Sequence, residues 1–312
     1  MARIRKGIIT AAGRGTRQFP ASRTVQKELF PLVDVDGYAK PTVQLLVEEL
    51  LASGLEEVCI VANSANVEPM RRHFQAPLPT SSTPEATAGK EWMTPLLDAL
   101  ADMARRVTFV VQETQEGYGH AVYQAREWAG DEPFLLTLGD HIYFSETSDR
   151  CARQVMAAYE EHGDPVTSVT YAPEAELYRY GTLAGFPLPD TQPPVYEIKA
   201  LAEKPSAEYA RAHLRTPGLP EGRYLVHFGT HAFPPVLFDC LEHLIRHDRR
   251  QRGEIQLTSA QELLLERGRY LACEVVGVRY DMGIPEGLIE TQIALALRSP
   301  FREQARAQLT GH

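Results

Sequence analysis

Asp140 follows a short apolar run, Phe134–Leu138, and this position suggests a metal ligand. An unpaired charge at the end of a buried strand is costly, and a bound cation offsets that cost. Mg²⁺ takes one or two carboxylates together with substrate phosphates and waters, so Asp140 is a natural first ligand. The alternative role is to cap a following helix. The next residues, 142–144 (Ile-Tyr-Phe), are a poor helix start, and this favours the metal role.

A glycine-rich turn near the start of the chain is a candidate phosphate site. The apolar run 7–12 leads into Gly13 and Gly15, whose missing side chains let the backbone turn sharply and approach a ligand. Backbone N–H groups exposed in such a turn can hold phosphate, and Arg17 and Lys27 add positive charge for a triphosphate. A tight strand-to-helix turn with solvated arginines explains the same pattern equally well.

Two common phosphate motifs are absent from this turn. A dinucleotide-binding fingerprint needs a third glycine three residues after Gly15, where the chain has Gln18. A P-loop needs Gly-Lys followed by Ser or Thr, and the turn does not contain these residues. If the turn binds phosphate, it therefore uses another arrangement.

Alternating strands and helices must position these groups. Apolar runs predict strands over 7–12, 57–63, 107–112, 134–138, 165–171 and 225–233, and helical periodicity predicts helices over 41–53, 119–128, 235–246, 255–267 and 287–298. This pattern is typical of an α/β fold with a Rossmann-like, mostly parallel or mixed sheet flanked by helices. Ligands of such sheets lie beyond the carboxyl ends of the strands. The Pro-, Thr- and Ser-rich segment 75–90 is predicted to be a surface excursion.

Composition limits the partners of the 312-residue chain. It has 32 basic and 41 acidic residues, a formal net charge of −9. This balance argues against nucleic-acid binding, which needs Lys and Arg, but not against a small anion in a locally basic pocket. Four scattered cysteines show neither metal nor redox spacing, and no run approaches the roughly 20 apolar residues of a membrane span. We therefore expect a cytoplasmic protein that binds neither nucleic acid nor membrane.

The wider glycine segment resembles a known family. Residues 13–20 (GRGTRQFP) and 27–32 (KELFPL) resemble the GxGTRxxP and PKExLP signature of the sugar-1-phosphate nucleotidyltransferases, with Gln26 where that family usually has proline. The resemblance spans roughly residues 7–290 and implies the fold of the nucleotide-diphospho-sugar transferases. The residues that it assigns to the nucleoside triphosphate are Ala12, Gly13, Gly15, Thr16, Arg17 and Lys27.

Gln112 and residues 117–121 resemble the Q…GxGHA run of the uridylyltransferase branch of this family. A Gln amide offers both a donor and an acceptor. By this resemblance, Gln112 pairs with the N3–H and a carbonyl of uracil, and Gly117 lets the base lie against the backbone. Taken alone, the segment is better explained by a surface Gln at the end of a strand.

Downstream segments resemble the family's second acidic element and its sugar-binding elements. Residues 280–283 resemble its D-x-G element, which implies that Asp281 joins Asp140 on the metal, although spacing alone does not bring the two together. Residues 180–181 resemble YG, 203–205 resemble EKP, and 253–258 resemble part of a GDEIQLTD run. A carboxylate accepts strong hydrogen bonds and a lysine is a point charge for phosphate. The sugar site implied is Gly181, Glu203, Gly229 and Lys204, with Lys204 on the 1-phosphate.

The reaction implied by the resemblance is Mg²⁺-dependent. A phosphate oxygen of glucose 1-phosphate attacks the α-phosphorus of UTP in line, giving UDP-glucose and pyrophosphate. Three alternatives remain open: the same chemistry with another base or sugar, such as dTTP; a non-catalytic regulator that binds a nucleotide sugar; and a nicotinamide dehydrogenase. We expect a homo-oligomer, either dimer or tetramer. Residues 1–300 are expected to form one domain, with a nucleotide-binding half 1–150, a sugar-binding half 151–300, and a tail 301–312.

Overall fold

A computed structural model describes residues 3–75 and 92–310 of the chain, so most of the predicted excursion 75–90 lies outside the described residues. The strands are β1 (Lys6–Ala11), β2 (Pro31–Val33), β3 (Ala39–Pro41), β4 (Glu57–Asn63), β5 (Val107–Gln112), β6 (Phe134–Leu138), β7 (His141–Ser145), β8 (Val166–Pro173), β9 (Gly181–Pro187), β10 (Val195–Glu203), β11 (Arg223–Phe233), β12 (Leu271–Glu274) and β13 (Gly277–Asp281). The helices are α1 (Thr42–Ala52), α2 (Val67–Gln75), α3 (Met93–Arg106), α4 (Tyr118–Gln124), α5 (Arg126–Ala129), α6 (Cys151–His162), α7 (Ala207–His213), α8 (Val236–Arg246), α9 (Leu257–Arg267), α10 (Pro285–Ala296) and α11 (Arg302–Thr310).

Nine of the described strands form one sheet in the order β5-β4-β1-β6-β11-β8-β12-β10-β9. The strands β5, β4, β1 and β6 are parallel, as the strand–helix alternation predicts. Beyond β6 the sheet is mixed, because β11 is antiparallel to β6 and β8 whereas β12 is parallel to β8. The predicted mixed α/β sheet flanked by helices is confirmed.

Apolar layers cover both faces of the sheet. The neighbours Ile8 and Ile9 point to opposite faces, as successive strand residues do. Ile9 packs in the core that includes Leu46 of α1, and Ile8 packs in the core that includes Leu241 of α8 and Leu264 of α9. With both faces covered, a ligand has its access at the ends of the strands.

The predicted strands and helices are found with their ends shifted by at most two residues, except that the predicted helix 119–128 is divided into α4 and α5 at Ala125. The strands β7 and β13, which the sequence analysis missed, form a separate two-stranded sheet. Residues 301–312, predicted as a tail, contain α11. None of the helices in the described ranges is long and apolar enough to cross a membrane.

Candidate functional site

A cleft of about 850 Å³ opens at the carboxyl ends of β1, β5 and β6, where a parallel sheet is expected to bind its ligand. The predicted site residues that line it are Ala12, Gly13, Thr16, Arg17, Lys27, Gln112, Gly117, Asp140, Gly181, Glu203, Lys204, Gly229 and Asp281. Gly15 does not line the cleft. It lies within the turn and has a positive φ of 62°, a conformation that favours glycine.

Asp140 and Asp281 meet because β7 pairs with β13. The antiparallel register sets Asp281 opposite His141, the residue that follows Asp140. One potential ligand atom from each of these three side chains lies within 4.8 Å of the other two. Asp140 precedes a strand, so the helix-capping alternative is wrong, and the two carboxylates are near enough to share one cation.

Each of the two carboxylates has a basic partner, and the partner of Asp140 is much more buried than the partner of Asp281. Lys27 Nζ lies 2.5 Å from Asp140 Oδ2, and both side chains are largely buried. Arg17 Nη1 lies 3.9 Å from Asp281 Oδ2, and the Arg17 side chain is 60% exposed. Burial by itself would raise the pKa of the Asp140 carboxyl, but Lys27 outweighs burial and holds this pKa well below its ordinary value. Asp140 is therefore ionised and able to hold a cation at neutral pH.

Asp140 and Asp281, with their basic partners Lys27 and Arg17, form what we call the acidic corner. It fits because residue 283 is a glycine. A Cβ at Gly283 would lie 2.6 Å from Asp140 Oδ2, 2.8 Å from Asp281 Oδ1 and 2.7 Å from Arg17 Nη2. Gln18 ties the glycine-rich turn to the same place, because its Nε2 donates a hydrogen bond to the Met282 carbonyl at 2.8 Å. The phosphate-binding candidates and the acidic corner are thus joined directly.

Gln112 is buried at the end of β5. Its Nε2 donates to the Gly117 carbonyl at 3.2 Å and lies 2.9 Å from His120 Nδ1. These contacts engage the amide nitrogen that was predicted to supply a donor to uracil, and they leave the carbonyl oxygen for a ligand. Gly117 has a φ of 117°, and a Cβ there would lie 2.6 Å from the Ile255 carbonyl, so Gln112 and residue 255 together fix this turn.

The sugar-site candidates lie on β9, at the end of β10 and on β11, and α9 supplies Thr258 beside them. Thr258 Oγ1 donates to Glu203 Oε2 at 2.8 Å, and Lys204 Nζ lies 3.5 Å from Glu203 Oε1. The Lys204 side chain is 40% exposed, so its ammonium is open to an incoming phosphate. A Cβ at Gly181 would lie 3.2 Å from Glu203 Oε2 and 2.6 Å from His227 Cδ2, so glycine is needed there.

Gly229, predicted to face the sugar, makes room for two other side chains. A Cβ at this position would lie 2.7 Å from His141 Nδ1 and 3.0 Å from the Tyr143 hydroxyl. The φ of Gly229 is 112°, which also favours glycine. The residue lines the cleft, and its immediate effect is to let His141 and Tyr143 pack beside the acidic corner.

Several residues of the cleft were missed by the sequence analysis. Arg279 donates to the carbonyls of His227 and Phe228 at 2.8 and 3.2 Å, and its guanidinium lies 5.0 Å from the centre of the Tyr180 ring. Its place two residues before Asp281 on one strand was a usable signal, because such residues share a face. The other missed lining residues include Arg14, Glu28, Tyr118, His141, Arg179, His231, Arg252 and Thr258.

The cleft is basic although the chain is acidic. Seven Lys and Arg side chains line it against five Asp and Glu side chains. Burial raises the pKa of Glu28 to about 8, which removes one of the negative charges at neutral pH. Burial, followed by Arg279, lowers the pKa of His227 to about 4, so this ring is neutral. The lining is suited to anionic ligands, whose repulsion it offsets.

Comparison with known proteins identifies the family. The family described as Nucleotidyl transferase matches residues 6–296. The chain is 34% identical over 307 residues to a UTP–glucose-1-phosphate uridylyltransferase of Staphylococcus epidermidis, with 97% of this chain and 96% of that protein covered. It is 35% identical over 300 residues to the enzyme of that name from Staphylococcus haemolyticus, with 96% and 95% covered.

Solved structures agree with this match. A crystal structure of UDP-glucose pyrophosphorylase complexed with UDP-glucose is 28% identical in sequence and gives a TM-score of 0.73, with 93% of this chain and 98% of that chain covered. The crystal structure of an apo UDP-glucose pyrophosphorylase gives a TM-score of 0.77, also at 28% identity, with 93% and 97% covered. The chain belongs to the nucleotidyl transferase family.

Proposed function

We propose that the chain is a UTP–glucose-1-phosphate uridylyltransferase, which converts UTP and glucose 1-phosphate into UDP-glucose and pyrophosphate. The observation that carries this function is the single cleft in which two carboxylates and the cations Arg17, Lys27 and Lys204 line one space. Proteins of this name match the chain over almost its whole length. The match also removes the nicotinamide dehydrogenase from the alternatives.

The reaction is a substitution at phosphorus. A phosphate oxygen of glucose 1-phosphate attacks the α-phosphorus of UTP and forms a new P–O bond, while the bond between the α-phosphorus and its bridging oxygen breaks. The electron pair of that bond leaves with pyrophosphate. The nucleophile is already an anion, so no side chain has to remove a proton. The main task of the protein is to hold two polyanions in line against their repulsion.

Arg17 and Lys27 are assigned to the triphosphate, beside the turn formed by Ala12, Gly13, Gly15 and Thr16. A Cβ at Gly13 would lie 3.7 Å from Lys27 Nζ, so the backbone of the turn and this ammonium are adjacent. Exposed N–H groups of the turn and a fixed cation form a suitable cradle for phosphate. Because Lys27 is held by Asp140, its position is set before the nucleotide arrives.

Lys204 is assigned to the phosphate of the sugar, and Glu203 to its hydroxyls. Glu203 is oriented by the Thr258 hydroxyl, and a carboxylate fixed in this way can accept hydrogen bonds from a sugar. Gly181 and Gly229 leave space on this side of the cleft. The exposure of the Lys204 side chain supports a role in which it closes on the phosphate after binding.

The acidic corner fits a divalent cation, because Asp140 and Asp281 converge there with a donor set of hard oxygen atoms. A Mg²⁺ ion held by these carboxylates would supply positive charge to the α-phosphate and the sugar phosphate. The carboxylates themselves are oriented by the protein: Lys27 contacts Asp140 Oδ2, and the Gly283 N–H donates to Asp281 Oδ1 at 2.8 Å.

The base is assigned to Gln112 and Gly117. Since the Gln112 nitrogen is engaged by Gly117 and His120, its carbonyl oxygen is the group that would accept the N3–H of the base. Uracil and thymine share this N–H, so the contact does not separate UTP from dTTP. Space beside C5 of the base must decide between them.

The decisive experiment is incubation of the protein with UTP, Mg²⁺ and a panel of sugar 1-phosphates, followed by mass-spectrometric identification of the product and measurement of pyrophosphate. We expect UDP-glucose from glucose 1-phosphate, and a lower rate when dTTP replaces UTP. Tight UDP-glucose binding with no pyrophosphate release from any pair would instead support a non-catalytic regulator. A homo-oligomeric state, dimer or tetramer, and a cytoplasmic location stay predictions, and mass photometry tests the first.

A further inference from the structure

His141 is a buried imidazole directed at the acidic corner. Its side chain is only 10% exposed. Nε2 lies 4.0 Å from Asp140 Oδ1 and 3.8 Å from Asp281 Oδ1, which is beyond hydrogen-bond distance in both cases. Nδ1 has no hydrogen-bond partner among the described residues. The nitrogen that faces the two carboxylates is Nε2, and because it is hydrogen-bonded to neither of them it can contact a ligand placed between them.

The two distances from His141 Nε2 fit a cation between this nitrogen and each carboxylate. Two donor atoms that are each about 2.1 Å from one metal ion are at most about 4.2 Å apart. The separations of 4.0 and 3.8 Å from His141 Nε2 to the two carboxylate oxygens fall inside this limit.

The protein fixes the direction of the ring. The β7–β13 register sets His141 opposite Asp281, and the backbone of Gly229 approaches the opposite ring nitrogen, where any Cβ would lie 2.7 Å from Nδ1. The Tyr143 ring packs edge-on against the imidazole, with ring centres 6.2 Å apart. These contacts turn Nε2, and not Nδ1, toward the carboxylates.

We propose that His141 is a third ligand, through Nε2, of the divalent cation held by Asp140 and Asp281, and that it makes this site prefer Mn²⁺ to Mg²⁺. The inference rests on the proposed function in placing a cation between the two carboxylates. Mg²⁺ takes oxygen ligands almost exclusively. Imidazole suits first-row transition ions better than it suits Mg²⁺, and Mn²⁺ is the ion of that row that also suits carboxylate and water ligands.

The test uses the full chain with Mn²⁺ alone, so it does not depend on turnover. Mn²⁺ binding is titrated by electron paramagnetic resonance, Mg²⁺ is measured by competition, and pulsed resonance detects ¹⁴N coupled to bound Mn²⁺. We expect one ¹⁴N-coupled site, and tighter binding of Mn²⁺ than of Mg²⁺. His141→Phe keeps an aromatic ring but removes the ligand, and is expected to weaken Mn²⁺ binding on the order of 10-fold or more.

Two further variants separate the loss of a ligand from the loss of the fold. His141→Gln returns an oxygen donor, so Mg²⁺ binding should persist while the ¹⁴N coupling and the Mn²⁺ preference are lost. His243→Phe changes one of two neighbouring histidines, at 243 and 247, which do not line the cleft, and should leave the coupling intact. If His141→Phe loses Mn²⁺ binding because it is misfolded, its melting temperature reveals this and His141→Gln decides the question.

The two proposals fail in different ways. Tight Mn²⁺ binding by the wild type without ¹⁴N coupling, or with coupling that persists in both His141 variants, overturns the role of His141 and leaves the proposed function standing. No Mn²⁺ binding at all, with or without UTP, counts against the cation site itself, and both proposals then fail.

Discussion

The cleft has an acidic corner, which contains Asp140, Asp281 and Lys27, and a sugar-phosphate corner, formed by Glu203 and Lys204. The lysines of the two corners differ in burial and in how closely they are paired. At the acidic corner, Lys27 and Asp140 are largely buried and 2.5 Å apart. At the sugar-phosphate corner, the Lys204 side chain is 40% exposed and its ammonium lies 3.5 Å from Glu203. The Lys27 charge is paired inside the protein, whereas the Lys204 charge is partly exposed to solvent.

This difference follows from the energetics of burial. A charge removed from water must be paired at once, because breaking a buried pair leaves an uncompensated charge that costs about 3–5 kcal/mol. An exposed pair contributes little to stability, about 0–1 kcal/mol, so Lys204 is available to a substrate phosphate without loss of fold. We infer that the acidic corner is preformed and that the sugar-phosphate corner is completed by the substrate.

Breaking the buried ion pair of Lys27 and Asp140 should have the largest consequences for activity and stability. Asp140→Asn should lower kcat/KM on the order of 10³-fold, because it removes a preorganised charge at the reacting phosphates. It should also lower the free energy of unfolding by about 3–5 kcal/mol, because Lys27 stays buried and loses its closest partner. Pyrophosphate release and urea unfolding measure the two effects.

Asp281→Asn is the matched control: its partner Arg17 is 60% exposed, so activity should fall while stability changes by less than about 1 kcal/mol. Equal losses of stability in both variants would remove the contrast.

The sugar-phosphate corner should show the opposite combination. Lys204→Ala should lower kcat/KM for glucose 1-phosphate about 10²-fold, with the free energy of unfolding within about 0.5 kcal/mol of the wild type. Steady-state kinetics with each substrate varied in turn, together with urea unfolding, check this. Lys199→Ala, on β10 and outside the cleft lining, should change neither quantity. Near-normal turnover of Lys204→Ala would contradict the assignment.

A smaller loss of activity should follow when the side chains of the acidic corner are displaced without being removed. Gly283→Ala places a methyl group 2.6–2.8 Å from the two carboxylates and Arg17. Displacement of these groups by a fraction of an ångström should lower kcat on the order of 10-fold. Gly268→Ala is the control, because a Cβ there meets nothing within 4 Å. Equal activity of the two variants would show that the corner tolerates movement.

The smallest expected effect concerns pH. Burial raises the pKa of Glu28 from its ordinary 4.5 to about 8, against the opposing charge of Lys27 3.7 Å away. The folded protein therefore keeps a proton that the unfolded chain releases, and this contribution to stability is lost as the pH rises toward 8. Between pH 6 and pH 7, the wild type should lose about 1.4 kcal/mol more than Glu28→Gln does. Urea unfolding at both pH values measures the difference, and parallel losses in the two proteins would show that Glu28 is ionised when folded.

The parallel half of the sheet could be predicted because its strands are continuous apolar runs. In β4, every residue from Val58 to Asn63 is buried, which is typical of a central parallel strand. The strands β7 and β13 were missed because β13 is half-buried throughout and has no clear alternation. The family motifs singled out residues that, apart from Gly15, line one cleft, and this did not require these strands.

The contacts within the site could not be predicted from the sequence. The approach of Asp281 to Asp140 depends on the register of β7 and β13, which is a non-local property. The same register turns His141 toward the carboxylates, although its position next to Asp140 was visible. For Gln112, residue type suggested a free amide, whereas a neighbouring turn and His120 engage its nitrogen.

Crystals grown with UDP-glucose and Mn²⁺ would show whether Asp140 and Asp281 hold one cation, since Mn²⁺ is located by its anomalous scattering. The preformed acidic corner predicts one anomalous peak within bonding distance of Asp140 and Asp281, with the sugar phosphate beside Lys204. A peak elsewhere, or UDP-glucose bound in the cleft with no cation between these two carboxylates, would contradict it.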